Sequence, residues 1–128
     1  MTTPFKQFRF LDWKMYKDAQ ELFIDIKKHV DKLPRENEFD VGAQAIRSSL
    51  SVILTIAEGS SRTTRTEMSR CLDSALGFLY KTASAVDTLQ KDGAGKPLSD
   101  NLIEKMGDIA KQLGGFKKSL SRSTKGKE

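Results

Sequence analysis

Ile46–Leu79 reads IRSSLSVILTIAEGSSRTTRTEMSRCLDSALGFL, and the fold is organised around it. Its first half places apolar residues at Ile46, Leu50, Ile53, Leu54 and Ala57, and its second half at Met68, Leu72, Ala75, Leu76 and Leu79. Both sets recur every three or four residues, the period of a helix that buries one face. Between them, Gly59-Ser60-Ser61-Arg62-Thr63-Thr64 is a polar breaker without an apolar side chain. Two amphipathic helices joined by a short polar turn make a helical hairpin. Its apolar faces need further helices to cover them.

Those helices are legible on both sides. Upstream, Trp13, Tyr16, Ala19, Phe23, Ile26, Val30 and Leu33 form a stripe. Asp12 is the expected N-cap, Leu11 and Tyr16 are spaced as a hydrophobic staple, and Pro34 is the stop. Residues 1–11 carry Phe5, Phe8, Phe10 and Leu11, and are expected to form a partly extended lead-in that packs its aromatics on the helices. Trp13 and Tyr16 would suit a base-stacking platform, but their register with the stripe predicts core and rim. Residues 34–38 form a polar turn, and a second helix is expected over 39–58. The third begins near Thr64, where Thr64-Arg65-Thr66-Glu67 has capping-box spacing, and reaches about Lys91, some 40 Å at the standard rise. Gly77 inside it costs up to about 1 kcal/mol against alanine, which points to a close helix contact there. After a turn at Gly93-Ala94-Gly95-Lys96-Pro97, a fourth helix has Ser99 as N-cap and Leu98 with Ile103 as staple. Its stripe of Leu102, Met106, Ile109, Leu113, Phe116 and Leu120 alternates steps of four and three, a heptad seam. Gly114-Gly115 marks a bend or a close contact, and a basic tail follows over 121–128. Four helices with short turns predict one all-α domain over residues 1–128, an antiparallel up-down-up-down four-helix bundle.

Composition narrows the function classes. Apolar residues are 38% and charged residues 30%, as expected of a helical protein rich in surface. No run of about 18 apolar residues is present, so no transmembrane helix is expected. MTTPFKQFRF lacks the apolar core of a signal peptide. The single cysteine, Cys71, excludes an intrachain disulfide and points to a cytoplasmic location. It reads as a small core residue rather than a reactive thiol. The single histidine, His29, follows Lys28 on a charged face and reads as a surface residue. One histidine and one cysteine make neither a catalytic dyad nor a metal site. The Gly93–Lys96 turn lacks the P-loop spacing, and Pro97 stands where Ser or Thr is needed. No Glu-x-x-His pair of the di-iron type occurs. Glu67 is explained by capping, and Glu58 as a solvated or paired carboxylate. No enzyme activity, metal or cofactor is expected.

Charge is the remaining signal. The net charge is +5, and Lys117, Lys118, Arg122, Lys125 and Lys127 stand against one acid, Glu128, at the C-terminal end. Arg62, Arg65 and Arg70 cluster around the turn of the hairpin. In an antiparallel bundle the start of the third helix and the end of the fourth lie together, so the two groups are expected to merge into one patch. Such a patch suits phosphate backbones, RNA or DNA, and salt-sensitive binding. Cations near a helix C-terminus also favour the macrodipole, so the alternative is a structural or protein-interaction bundle whose tail only adds solubility.

The chain resembles a known family. Phe8, Leu11, Trp13, Lys14, Ala19 and Leu22 are similar to its first helix. Gln44-Ala45-Ile46-Arg47-Ser48-Ser49, Ser51-Val52, Ile56-Ala57-Glu58-Gly59, Arg62, Glu67, Arg70, Leu72, Ala75 and Gly77 resemble its central motif. It is the four-helix-bundle family of 23S rRNA intervening-sequence proteins, to which the accessory variability proteins of diversity-generating retroelements are similar. Thr55 stands where the family usually has Asn, and the first helix is about one turn longer than usual. Leu113-Gly114-Gly115-Phe116-Lys117-Lys118 resembles the ending of the retroelement proteins. The resemblance implies a homopentameric basic barrel that binds nucleic acid, with a reverse transcriptase as partner in the retroelement branch, and no catalysis of its own.

Overall fold

The computed structural model describes residues 6–34, 38–91 and 96–127, with side chains over 7–34, 40–91 and 100–122. A 3-10 segment, Lys6–Asp12, is kinked at Phe8. It leads into α1, Lys14–Asp31. A π-helical turn, Glu38–Gly42, opens α2, Ala43–Ser60. Then come α3, Arg65–Lys91, and α4, Lys96–Lys127. The described residues are all helical or in the short joints between helices.

All four helices feed one core. Leu22 and Ile26 of α1, Val52 and Ile56 of α2, Leu72 and Leu89 of α3, and Leu102, Ile109 and Leu113 of α4 are each at most 2% exposed. Burial of a side chain of this size contributes about 1.5–3 kcal/mol. α1 with α4, and α2 with α3, meet in opposite numerical order. Lys105 of α4 bonds to Asp25 and, at 3.3 Å, to Glu21; Gln112 bonds to Asp18; Phe116 packs on Trp13. Ser48 of α2 meets Thr82 of α3, whereas Gly59 meets Cys71. Lys117 of α4 pairs with Asp73 of α3. The turn between α2 and α3 therefore lies at the same end as the last turns of α4.

Two buried hydroxyls link α2 to α3. Thr82 Oγ1 has both Ser48 Oγ and the Phe78 carbonyl at 2.8 Å, and Ser48 donates to the Gln44 carbonyl at 2.9 Å. Both residues are buried and each also has a carbonyl acceptor on its own helix, so a slip of α3 along α2 would lose the contact between them without stranding either hydroxyl.

Several local expectations are corrected. Asp12 closes the 3-10 segment, and the N-cap of α1 is Trp13, which caps with no side-chain bond. The lead-in is 3-10 helical over its described part, because the Trp13 N–H donates to the Phe10 carbonyl at 3.0 Å and tightens the chain. α1 buries Met15, Ala19, Leu22, Ile26, His29 and Val30, while Trp13, Tyr16, Phe23 and Leu33 are half-buried. His29 is thus not a surface residue: it is 3% exposed, three and seven positions after Ile26 and Leu22 on the buried face. α4 begins at Lys96 rather than Ser99, since proline is tolerated in a first helical turn. It runs unbroken through Gly114 and Gly115, where an added Cβ would meet nothing within 4 Å, and on to Lys127 in place of a separate tail. The turn at residues 92–95 and Phe5 lie outside the described residues.

Gly77 is exposed and makes no close contact. The close approach is at Gly59, where a Cβ would lie 3.0 Å from the Cys71 Cβ. That contact lets the start of α3 fold tightly against the end of α2, and leaves Cys71 half-buried against it. Gly59→Val is expected to cost about 1–3 kcal/mol, because two backbones must part to admit it. A thermal melt by circular dichroism would read this as a lower midpoint. A midpoint equal to the parent's would mean that the helices separate there without cost.

Candidate nucleic-acid interface

The joint between α2 and α3 is short and closes its own polar groups. The Ser61 and Arg62 N–H groups donate to the Glu58 and Gly59 carbonyls at 3.0 and 3.2 Å. The Ser60 and Ser61 hydroxyls donate to the Ala57 and Glu58 carbonyls. On the other side, Thr64 Oγ1 accepts from the Glu67 N–H at 3.1 Å and donates to the Glu67 carboxylate at 2.9 Å. The first of these bonds is the expected N-cap contact, while the carboxylate takes the Thr64 hydroxyl in place of its backbone N–H, and α3 starts where the sequence placed it. With its backbone satisfied, the joint turns residues 61–67 outward, all of them exposed.

An open cleft of about 590 Å³ lies beside this joint. Arg9 reaches it from the 3-10 segment, Arg62–Thr66 and Met68 from the joint, and Leu120 from α4. Three guanidinium groups and three threonine hydroxyls meet there, and no carboxylate is among the lining residues. Arg62 donates to Glu58 on its own helix. Its pKa is raised, first by hydrogen bonding to Cys71 and then by the charge of Glu58. Arg65 is exposed and has no such carboxylate partner among the described residues.

The basic residues picked out from the sequence divide into three groups. Arg62 and Arg65 share the cleft. Arg70 is exposed on α3, two positions before buried Leu72 and so on the far side of that helix. Lys117 is engaged by Asp73 and ties α4 to α3. Lys118 and Arg122 are exposed on α4, each two positions from Leu120. At about 100° per residue they point away from the cleft that Leu120 lines. The hairpin and the end of α4 therefore share one end of the molecule but not one face. The α4 backbone carries Lys125 and Lys127 further from the core, and their side chains lie outside the described residues.

Arg9 is the cleft residue that the sequence reading passed over. It stands between Phe8 and Phe10, whose rings meet edge to face at 6.3 Å, and Phe10 in turn packs on Tyr16 at 4.9 Å. These contacts anchor the lead-in and aim Arg9 at the joint. The alternation of aromatic and basic residues over Lys6–Phe10 was the available signal. Among the described residues no group of three His, Cys, Asp or Glu is placed to hold a metal, and no helix is long and apolar enough to cross a membrane.

Residues 11–115 match the family described as 23S rRNA-intervening sequence protein. The chain belongs to that family. No curated protein matches it. The Ile56-Ala57-Glu58-Gly59 run, which carries the family resemblance, has a physical task at three of its positions. Ile56 is buried, Glu58 holds Arg62, and Gly59 admits the close approach of α3. In this family member the cleft is completed from outside the matched segment, by Arg9 before it and Leu120 after it.

Proposed function

We propose that this chain is a non-catalytic nucleic-acid-binding accessory protein that works as a homo-oligomer in the cytoplasm. The observation that carries the proposal is the cleft in which Arg9, Arg62 and Arg65, from distant parts of the chain, stand together with threonine hydroxyls and no carboxylate in its lining. Guanidinium groups and hydroxyls are donors suited to phosphate oxygens. Membership of the intervening-sequence family supports RNA as the polyanion. An antiparallel up-down-up-down bundle, which the pairing of Lys117 with Asp73 supports, would bring the basic residues of α4 to the same end. In the retroelement branch, which the Leu113–Lys118 ending favours, the partner would be a reverse transcriptase; in the other branch it would be RNA of the ribosomal insertion itself.

The test is fluorescence anisotropy with labelled RNA and DNA strands at several salt concentrations. Binding should be broad across sequences, since phosphate contacts carry little sequence information. Absence of binding to either strand at low salt would replace this function with that of a protein-interaction bundle.

Self-association is part of the proposal, with a pentamer favoured by the sequence resemblance. Tyr80 is 69% exposed and Ile103 39%, and they flank an apolar groove of about 230 Å³ between α3 and α4. Ile24 of α1 and Leu54 of α2 are exposed on other faces. Two unlike apolar faces suit a head-to-tail contact, which closes into a ring when the rotation between copies divides a full turn. Phe78, by contrast, is half-buried within the molecule and carries Lys81 over its ring. Light scattering should give several times the 14.3 kDa of one chain. A 14.3 kDa particle at tens of micromolar would remove the oligomer from the proposal.

A further inference from the structure

We propose that the pocket beside the Trp13–Phe116 ring pair receives an unpaired base of a single-stranded nucleic acid. The inference rests on the polyanion-binding function proposed above and adds to it a second, uncharged mode of contact.

The pocket has a volume of about 360 Å³ and is lined by Trp13, Lys14, Met15, Gln112, Gly115 and Phe116. That volume falls in the range of small-molecule sites, about 300–1,000 Å³. The Trp13 and Phe116 rings are 5.2 Å apart and tilted by 50°, and both are half-buried, so each keeps ring surface open. Gly115 puts no side chain into the opening, and a Cβ there would meet nothing within 4 Å. The site is therefore aromatic, shallow and unobstructed.

Its polar groups are held in place. Asp18 Oδ2 accepts from Lys14 Nζ at 2.7 Å and from Gln112 Nε2 at 2.8 Å, which joins α1 to α4 beside the pocket. Burial alone would raise the Asp18 carboxyl, but the bonds from Lys14 and Gln112 outweigh it and hold its pKa below the ordinary range. The Gln112 amide keeps a carbonyl acceptor and a second N–H, the two functions found on the edge of every base. An aromatic wall with an amide and a cation beside it suits a flat heterocycle better than an aliphatic chain.

Position supplies the last element. Phe116 is one turn before Leu120 on α4, about 6 Å at the helical rise, and Leu120 lines the arginine cleft. A strand whose phosphates rest on Arg9, Arg62 and Arg65 passes the mouth of the pocket. Tyr16 does not line the pocket: Phe10 packs on its ring and Gln20 donates to its hydroxyl.

Trp13 is the only tryptophan, so its emission reports on the pocket directly. The probes are single-stranded oligo(U) and an abasic strand of the same length and charge. Oligo(U) should quench Trp13 and bind about 5- to 100-fold more tightly than the abasic strand, the usual range for base–aromatic stacking. Gly115→Leu fills the pocket from an exposed helical position and removes a glycine from a helix interior, so it should fold; circular dichroism checks this. In that variant the two strands should bind alike. Equal affinities and unchanged emission in the parent would overturn the pocket while leaving phosphate binding intact, as would a preference for oligo(U) that survives Gly115→Leu. Failure of both strands to bind at low salt overturns the polyanion function and this inference with it. An emission change that follows protein concentration without nucleic acid assigns the pocket to a second copy of the chain, and also overturns it.

Discussion

Leu113→Asp is expected to abolish the folded state at 25 °C. Leu113 is 0% exposed and lies in the α4 seam with Leu102, Met106 and Ile109, each at most 3% exposed. The substitution removes a leucine from the core, at about 2–5 kcal/mol, and brings in a carboxyl with no partner, at several kcal/mol more. A domain of ordinary stability has about 5–15 kcal/mol in total. The two terms together therefore consume most or all of it, in a monomer or in an assembly. Leu113→Met is the control: it nearly conserves volume and should cost less than about 1.5 kcal/mol. Circular dichroism melts of the three proteins make the comparison. A Leu113→Asp midpoint equal to the parent's would place Leu113 outside the core and refute the seam.

Affinity for single-stranded RNA is expected to fall with salt at a log–log slope near −2. Each phosphate neutralised releases condensed counterions, with a slope of about −0.7 per contact on a single strand, and the cleft offers Arg9, Arg62 and Arg65. Between 50 and 200 mM salt this amounts to about a 15-fold loss. Arg62→Gln with Arg65→Gln should remove about 1.4 from the slope and leave the fold intact, since residues 61–67 are exposed. The two arginines should not contribute equally. Arg62 must leave Glu58 to reach a phosphate, whereas Arg65 has no such exchange to make. Arg65→Gln is therefore expected to weaken binding more than Arg62→Gln, and Glu58→Gln to strengthen it. Removing residues 121–128 deletes Arg122, Lys125, Lys127 and Glu128, and should weaken binding through long-range attraction. Anisotropy titrations of these variants against salt provide the measurement. If the double variant and the truncation both bind as the parent does, neither the cleft nor the end of α4 contacts phosphate.

What could be read before folding was what depends on neighbours in sequence. Helix periodicity is local, so the stripes through Leu72–Leu79 and Leu102–Leu113 appear in the core as read. A cap is local as well, and Thr64 meets Glu67 across three residues. The unexpected burial of His29 was available in the same way. Its register with Leu22 and Ile26 outranks its chemistry, because a helix face is buried whatever side chain the position carries.

Other features depend on which helix stands opposite, and no local rule supplies that. Gly59 and Gly77 look alike in sequence; only the first faces another helix, because Gly77 stands two positions from buried Ala75 and Leu79, on the exposed side of α3. Lys117 looks like Lys118, yet the rotation of α4 presents one to Asp73 and leaves the other to solvent. Arg9 joins Arg62 across more than fifty residues because aromatic contacts pin the lead-in to α1. Trp13 and Phe116 meet because α1 and α4 run past one another in opposite order. Periodicity states which face of a helix is buried; packing of the faces against one another decides which exposed side chains become neighbours, and both candidate contacts with nucleic acid are made of such neighbours.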